Sequence, residues 1–412
     1  MKKKDSIWTK TFISLSFTNL SVFIIFYGLI STLPLYAIGF LERTDQEAGL
    51  LISIFLLSAI IFRPLTGMIL EKYGKRKMLW ISLILYVICT VLYNFIEVFS
   101  WLLALRFLHG IWFSIATTAC GAIAADIVPA TRRGAGLGYF MMSTNLAMVL
   151  GPFIGLSLIQ VFSFDLLFII LSILMTIGAL LALFIPSNKQ FAAIKTKRKR
   201  KLSFHDFFEK RALPVAFLAS LIGLSYASIL SYISIYAQQK GLLEMTSPFF
   251  IVFAAVMLIA RPFTGKIYDE KGPQYILYPG LTFFFLGLIL LAYMNSPITF
   301  LLSGAFIGLG YGSILPSLQT LAVQSTTINR SGYATATFYT FFDTGIAVGS
   351  YILGVIAISY RYQTIYLLSG GLVAIVFLLV FLMRKNRKKE VAKGYQNRKT
   401  PIIKEEKSIF KI

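Results

Sequence analysis

The chain has 412 residues but only 17 acidic side chains against 39 Lys and Arg, and the few charges that fall inside long apolar runs are where chemistry has to be sought. Asp343, in Tyr339-Thr-Phe-Phe-Asp343-Thr-Gly345, is the one acid well inside such a run. A carboxyl in that setting can take up and release a proton in each turn of a cycle. The competing reading is a structural acid, paired with an arginine or capping a broken helix. Arg106, in Leu103-Ala-Leu-Arg106-Phe-Leu-His109-Gly110, and the cations Arg63 and Arg261 are similarly placed. An ion in hydrocarbon costs at least about 2.5–3.5 kcal/mol on insertion scales, so such residues are kept for function or for a partner. His109, one helical turn beyond Arg106, reads as a packed or hydrogen-bonded residue. No nucleophile triad, paired catalytic carboxylates, metal-type His/Cys cluster or GxxxxGK(S/T) phosphate loop accompanies them in the sequence. An enzyme and an ATP-driven pump are therefore unsupported, no cofactor is expected, and any work must draw on an ion gradient. Cys89 and Cys120 stand alone in apolar runs and read as buried thiols.

The elements that position these residues must be membrane helices. Hydrophobic residues make up 57% of the chain and charged ones 14%, with a mean hydropathy of +0.77; an ordinary soluble domain is roughly 45–50% apolar and about 25% charged. Apolar segments of about 20 residues, enough for ~30 Å of hydrocarbon, recur near 11–37, 47–70, 78–97, 100–125, 134–159, 164–186, 213–238, 247–268, 275–294, 297–322, 332–358 and 363–383. They lack the alternation of a barrel, so they predict twelve transmembrane helices.

The basic residues set the topology. With the N-terminus inside, 33 of the 39 fall in inside segments and only Arg43, Lys240 and Arg361 outside. That split predicts both termini in the cytoplasm of a bacterial-type plasma membrane. It also accounts for the pI near 9.9 through topology and lipid headgroups, with no nucleic acid as partner. The organisation expected is a six-helix bundle over 1–186, a cytoplasmic linker over 187–212, a second bundle over 213–383 and a basic tail over 384–412. The run Lys197-Arg198-Lys199-Arg200-Lys201 reads as solvated, with Phe204, Phe207 and Phe208 at the interface.

The halves repeat each other. Phe62-Arg63-Pro64-Leu65-Thr66-Gly67 returns as Ala260-Arg261-Pro262-Phe263-Thr264-Gly265, an offset of 198 residues. The same offset carries Gly74 to Gly272, Gly110 to Gly308, Gly134 to Gly332 and Gly151 to Gly349. It also sets Asn145 opposite Asp343, so one repeated position is polar in both halves, as a cavity wall would be. Parallel six-span repeats of this kind belong to carriers whose halves rock about a central site.

The stretch Gly67-Met-Ile-Leu-Glu71-Lys72-Tyr73-Gly74-Lys75-Arg76-Lys77 resembles the signature loop of the major facilitator superfamily, GxxxD(R/K)xGR(R/K), with Glu71 in place of the usual Asp. A weaker copy stands at Gly265-Lys-Ile-Tyr-Asp269-Glu270-Lys271-Gly272. The resemblance covers essentially the whole chain and implies an all-α integral membrane protein of the major facilitator fold, twelve helices in two bundles. It implies a cytoplasmic gate in which the acid meets the other half and a basic residue pairs with an acid ending span 4. Glu71, Lys75 and Asp126 hold those positions here.

Span 5 resembles the antiporter motif of the drug:proton exporters, Gx8Gx3GPxxGG. Gly138, Gly151, Pro152 and Gly155 match, whereas Ala147 and Leu156 replace two glycines. Small residues on one face are expected to pack against span 8. Arg106 resembles the span-4 arginine of the same exporters, which implies proton coupling and an orientation toward the central cavity. Asn19, Tyr27, Asn145, Tyr226, Tyr232 and Tyr339 are expected to line that cavity. The same resemblance implies an acid in span 1 for many drug exporters; span 1 here offers only Asn19, Tyr27 and Ser31, which argues against a strongly cation-selective pump. The expected activity is proton-coupled efflux of a small organic compound by a monomer whose partners are substrate, protons and lipid. Export of an endogenous metabolite or metallophore, an uptake symporter and a non-transporting sensor are the alternatives.

Overall fold

The structure, a computed structural model, describes residues 6–186, 207–327 and 330–383. The linker's basic run and the tail over 384–412 lie outside these residues. Twelve long helices run in chain order: α1(Lys10–Gly39), α2(Asp45–Tyr73), α3(Lys75–Leu92), α4(Phe99–Ile127), α5(Arg133–Val161), α6(Phe164–Leu181), α7(Leu213–Gln239), α8(Thr246–Lys271), α9(Gln274–Ala292), α10(Pro297–Gln324), α11(Ser331–Ser359) and α12(Tyr362–Met383). Eleven are long and apolar enough to cross a membrane. The exception, α3, has 18 residues and opens on Lys75-Arg76-Lys77. It also stops at Leu92, short of the predicted 97, because the Asn94 amide donates to Val91 O at 2.9 Å and turns the chain.

Several starts are written in the sequence. Thr44 and Glu47 form a reciprocal capping box for α2, and Ser296 with Thr299 forms one for α10. Gly74 and Gly272, repeat mates, carry φ of 92° and 96° at the α2–α3 and α8–α9 turns. L side chains avoid that region, so both positions require glycine.

Two apolar cores result. One is built from Ile7 to Ile185 and the other from Ala212 to Val376, with Val323 and Met141 as the residues that cross over. The repeat is equally visible in contacts. A Cβ on Gly110 of α4 would stand 2.4 Å from Phe55 O of α2, and one on Gly308 of α10 would stand 2.4 Å from Phe253 O of α8. Phe55 and Phe253 are themselves 198 residues apart. Gly110→Ala or Gly308→Ala is accordingly expected to cost about 1–3 kcal/mol by overpacking, seen as a lower melting temperature in detergent. Gly371→Ala, where nothing lies within 4 Å, is expected to cost nothing measurable.

Candidate functional site

The halves meet first at the end that carries the α2–α3, α4–α5, α8–α9 and α10–α11 turns, called the basic end below. Here a carboxylate ending a helix of one half caps a helix of the other. Glu71 accepts from the Gly332 N–H of α11 at 3.0 Å. Its repeat mate Asp269 accepts from the Gly134 and Ala135 N–H groups of α5 at 2.7 and 3.0 Å. Each acid thus satisfies orphan donors and lies against the positive end of a helix dipole. The glycines make the approach possible. A Cβ on Gly67 would come 2.9 Å from Tyr333 Cα, and one on Gly265 would come 2.6 Å from Ala135 Cα, again repeat mates.

Behind Glu71 lies a buried charge network. Lys75 Nζ is 3.2 Å from Glu71 and donates to Asp126 and to the Ser331 hydroxyl, each at 2.7 Å. Ser331 in turn donates to Asp126 at 2.7 Å. Ser331 escaped the sequence reading because no motif points to it; it is simply the residue that opens α11. The C-terminal counterpart is neutral, Tyr268 donating to Gln324 at 3.1 Å. Two motif residues stand apart from this cluster. Arg76 donates to Ile185 O at 2.7 Å within its own half, and Lys72 is exposed over the Tyr73 ring at 5.1 Å. After the linker, Glu209 pairs with Arg330, and its N–H donates to Thr337 at 2.9 Å.

Deeper between the halves, Arg63 of α2 meets Asp343 of α11 with Nη2 2.6 Å from Oδ2. At 1.5 Å per residue the pair lies about 15 Å from the C-terminal end of α2, close to the middle of ~30 Å of hydrocarbon. Arg63 also lies over the Tyr339 ring at 5.2 Å and the Phe113 ring at 6.0 Å. Tyr339 accepts from Gln319 at 3.2 Å. The Arg63 side chain is 3% exposed but that of Asp343 is 25% exposed, so the carboxylate is both paired and reachable. Of the two sequence readings of Asp343, proton carrier and arginine-paired acid, the geometry contains the ingredients of both.

Other expected site residues stand elsewhere. Arg106 does not face the space between the halves. It is 0% exposed inside the first bundle, donating to Leu51 O at 2.9 Å and to Tyr93 Oη at 3.5 Å, with its guanidinium 4.3 Å from the Phe55 ring. His109 lies beside it, its Nδ1 3.0 Å from Tyr93 Oη. Gly110 draws α4 tightly onto α2, and that approach encloses the arginine. Asn19 clamps α1 to α5, donating to Ser143 at 2.8 Å and Thr144 at 3.0 Å. Tyr232 donates to Ser350 O and ties α7 to α11. Tyr226 spans the halves, donating to Met148 Sδ at 3.2 Å while stacking on Tyr311 at 4.1 Å. Tyr27 packs on Phe26 at 4.9 Å, and Asn145 is buried on α5.

The span-5 glycines correct a further expectation. Of the three motif glycines only Gly138 faces α8, where a Cβ would stand 3.6 Å from Arg261 Nη1. Gly151 and Gly155 pack on α1, against Tyr27, Gly28 and Thr32. Thirteen residues at 3.6 per turn rotate about 220° around the helix, so Gly138 and Gly151 occupy opposite faces. Pro152 lies inside α5.

A family profile described as Major Facilitator Superfamily matches residues 15–299 and 272–412. An MFS-type transporter of Methanocaldococcus jannaschii is 26% identical over 347 residues, 81% of this chain and 89% of the relative. The multi-drug resistance efflux pump PmrA of Streptococcus pneumoniae is 24% identical over 79% of this chain and 83% of its own. Among solved structures, the human organic anion transporter MFSD10 superposes with a TM-score of 0.75 at 14% identity, covering 90% of this chain and 98% of that one.

Proposed function

Because this chain belongs to the major facilitator superfamily, a family of membrane transporters, we propose that it exports a small organic compound in exchange for protons by alternating access. The observation that carries this reading is the Arg63–Asp343 pair, a titratable carboxylate at mid-depth between two bundles with part of its surface open. Protonation of Asp343 from the outer side cancels its charge and frees Arg63. Loss of the proton toward the cytoplasm restores the pair. Each state therefore favours a different arrangement of α2 against α11, which is what coupling a proton to rocking requires. The Glu71, Asp269 and Lys75 contacts then act as the gate that holds the basic end shut while the other side is open. The excess of Lys and Arg in the segments of that end supports its placement in the cytoplasm, with both termini. Export over uptake is supported by the Gly151-Pro152-Phe153-Ile154-Gly155 turn of α5 and by similarity to a relative named as an efflux pump.

Everted vesicles energised by respiration test the direction. Addition of a transported compound from a panel of anionic, neutral and cationic amphiphiles is expected to make the acidic lumen more alkaline, and vesicles without the protein should show no change. Acidification on addition would show symport instead, and a lumen pH unmoved by every compound would remove proton coupling.

A further inference from the structure

Arg63 has a repeat mate, and among the described residues the mate has no acid. Arg261 of α8 lies 198 residues after Arg63, at the same depth, and is 4% exposed. Its Nε is sealed from solvent with no hydrogen-bond partner, and among the described residues no carboxylate forms an ion pair with it. It faces the other half, since Gly138 of α5 leaves space beside its Nη1. One turn-pair further along the same face of α5 is Asn145, the position that corresponds to Asp343. Where Phe113 lies under Arg63, the repeat supplies Tyr311. The Tyr311 phenol lies within electrostatic range of both Arg261 and Asp343.

A guanidinium taken out of water without a counter-charge is strongly unfavourable, whereas one that receives an anion gains paired, charge-assisted hydrogen bonds. Arg106 shows the alternative solution: also without an acid among the described residues, it is enclosed in one bundle by Leu51 O, Tyr93 and the Phe55 ring. Arg261 stands between the bundles, with an amide and a phenol placed by the repeat where Arg63 has an acid and a phenyl ring. All three are donors. We propose that Arg261 anchors an acidic group of the transported compound, a carboxylate or sulfonate on an amphipathic body, with Asn145 and Tyr311 donating beside it. The inference rests on the transport reading above but concerns binding alone.

Thermal unfolding of the purified full chain in detergent tests it without any gradient, so failure of proton coupling in vesicles and failure here are separate results. The probes are octanoate, octanesulfonate, octanol and octyltrimethylammonium. The two anions are expected to raise the melting temperature saturably in the native protein, and the alcohol and the ammonium are not. In Arg261→Gln the half-saturating anion concentration should rise about 10- to 100-fold, the loss of a charge-assisted contact. Asn145→Asp keeps Arg261 but gives it an internal counter-ion, so it should fold and also lose the anion response. An anion response unchanged in either variant overturns the proposal, as does a native protein that answers to the ammonium, or to none of the four.

Discussion

Asp343→Asn is expected to bring proton-linked transport down to the background of vesicles lacking the protein. The amide has nearly the shape of the carboxyl and can still accept from Arg63, so the helices should stay in place. What disappears is the group that changes charge. Breaking a buried pair by removing one partner costs ~3–5 kcal/mol. Here the pair is part-open on the acid side and the amide keeps one acceptor, so a loss of about 2 kcal/mol of stability is expected. The double variant Arg63→Gln/Asp343→Asn should recover most of that stability, because no uncompensated cation is left. It should recover none of the coupling. Melting temperature and lumen pH measured on the same preparations separate the two effects. Substrate-driven alkalinisation that persists in Asp343→Asn would remove this residue as proton carrier.

Glu71→Gln combined with Asp269→Asn is expected to open the basic end. Each substitution keeps an acceptor near the facing helix N-terminus but removes the charge that interacts with the dipole and, for Glu71, with Lys75. Each loss is worth about 1–2 kcal/mol, or roughly tenfold in the ratio of open to closed forms. The sites sit on opposite seams of the interface, so the effects should multiply to about 100-fold. A cysteine at Ala336, which is buried against Gly67, reports the change through its rate of labelling by an impermeant maleimide. The native Cys89 and Cys120 are buried and contribute little. Equal labelling rates in the native and double-variant backgrounds would show that the caps do not hold the gate.

Much of this architecture is legible in the sequence, because hydrocarbon leaves a helix few alternatives. Twelve apolar runs predict the helices to within a few residues, and the 198-residue offset predicts contacts as specific as Gly67 with Tyr333 mirrored by Gly265 with Ala135. Asp343 stands out as a lone acid, yet its partner does not. Arg63 is visible as a cation in a run, but which buried cation an acid meets depends on how two bundles lie against each other, and nothing local in α2 encodes that. A signal does exist. The repeat holds two arginines against one aspartate and one asparagine, so only one pair can close. Arg106 misleads for the complementary reason. A motif gives its depth along α4, whereas its direction is set by Gly110 drawing α4 onto α2. Asn19 shows the same limit, since an amide on α1 serves a neighbour in its own bundle as readily as a cavity.

The two caps at the basic end are mirror images in geometry and unequal in surroundings. Glu71 is backed by a dry lysine, aspartate and serine cluster, whereas Asp269 is part-exposed, with uncharged Tyr268 and Gln324 behind it and Arg132 and Glu270 as its charged neighbours. Water can replace the two bonds of Asp269 one at a time, but it must flood the Lys75 cluster to replace those of Glu71. If the halves rock as proposed, the closure is expected to have an order: the α5–α8 seam wets and parts first, with the α2–α11 seam serving as its hinge. The first crevice would then run down the helix pair that carries Arg261, so water entering from the basic end would reach that arginine before it reaches Asp343.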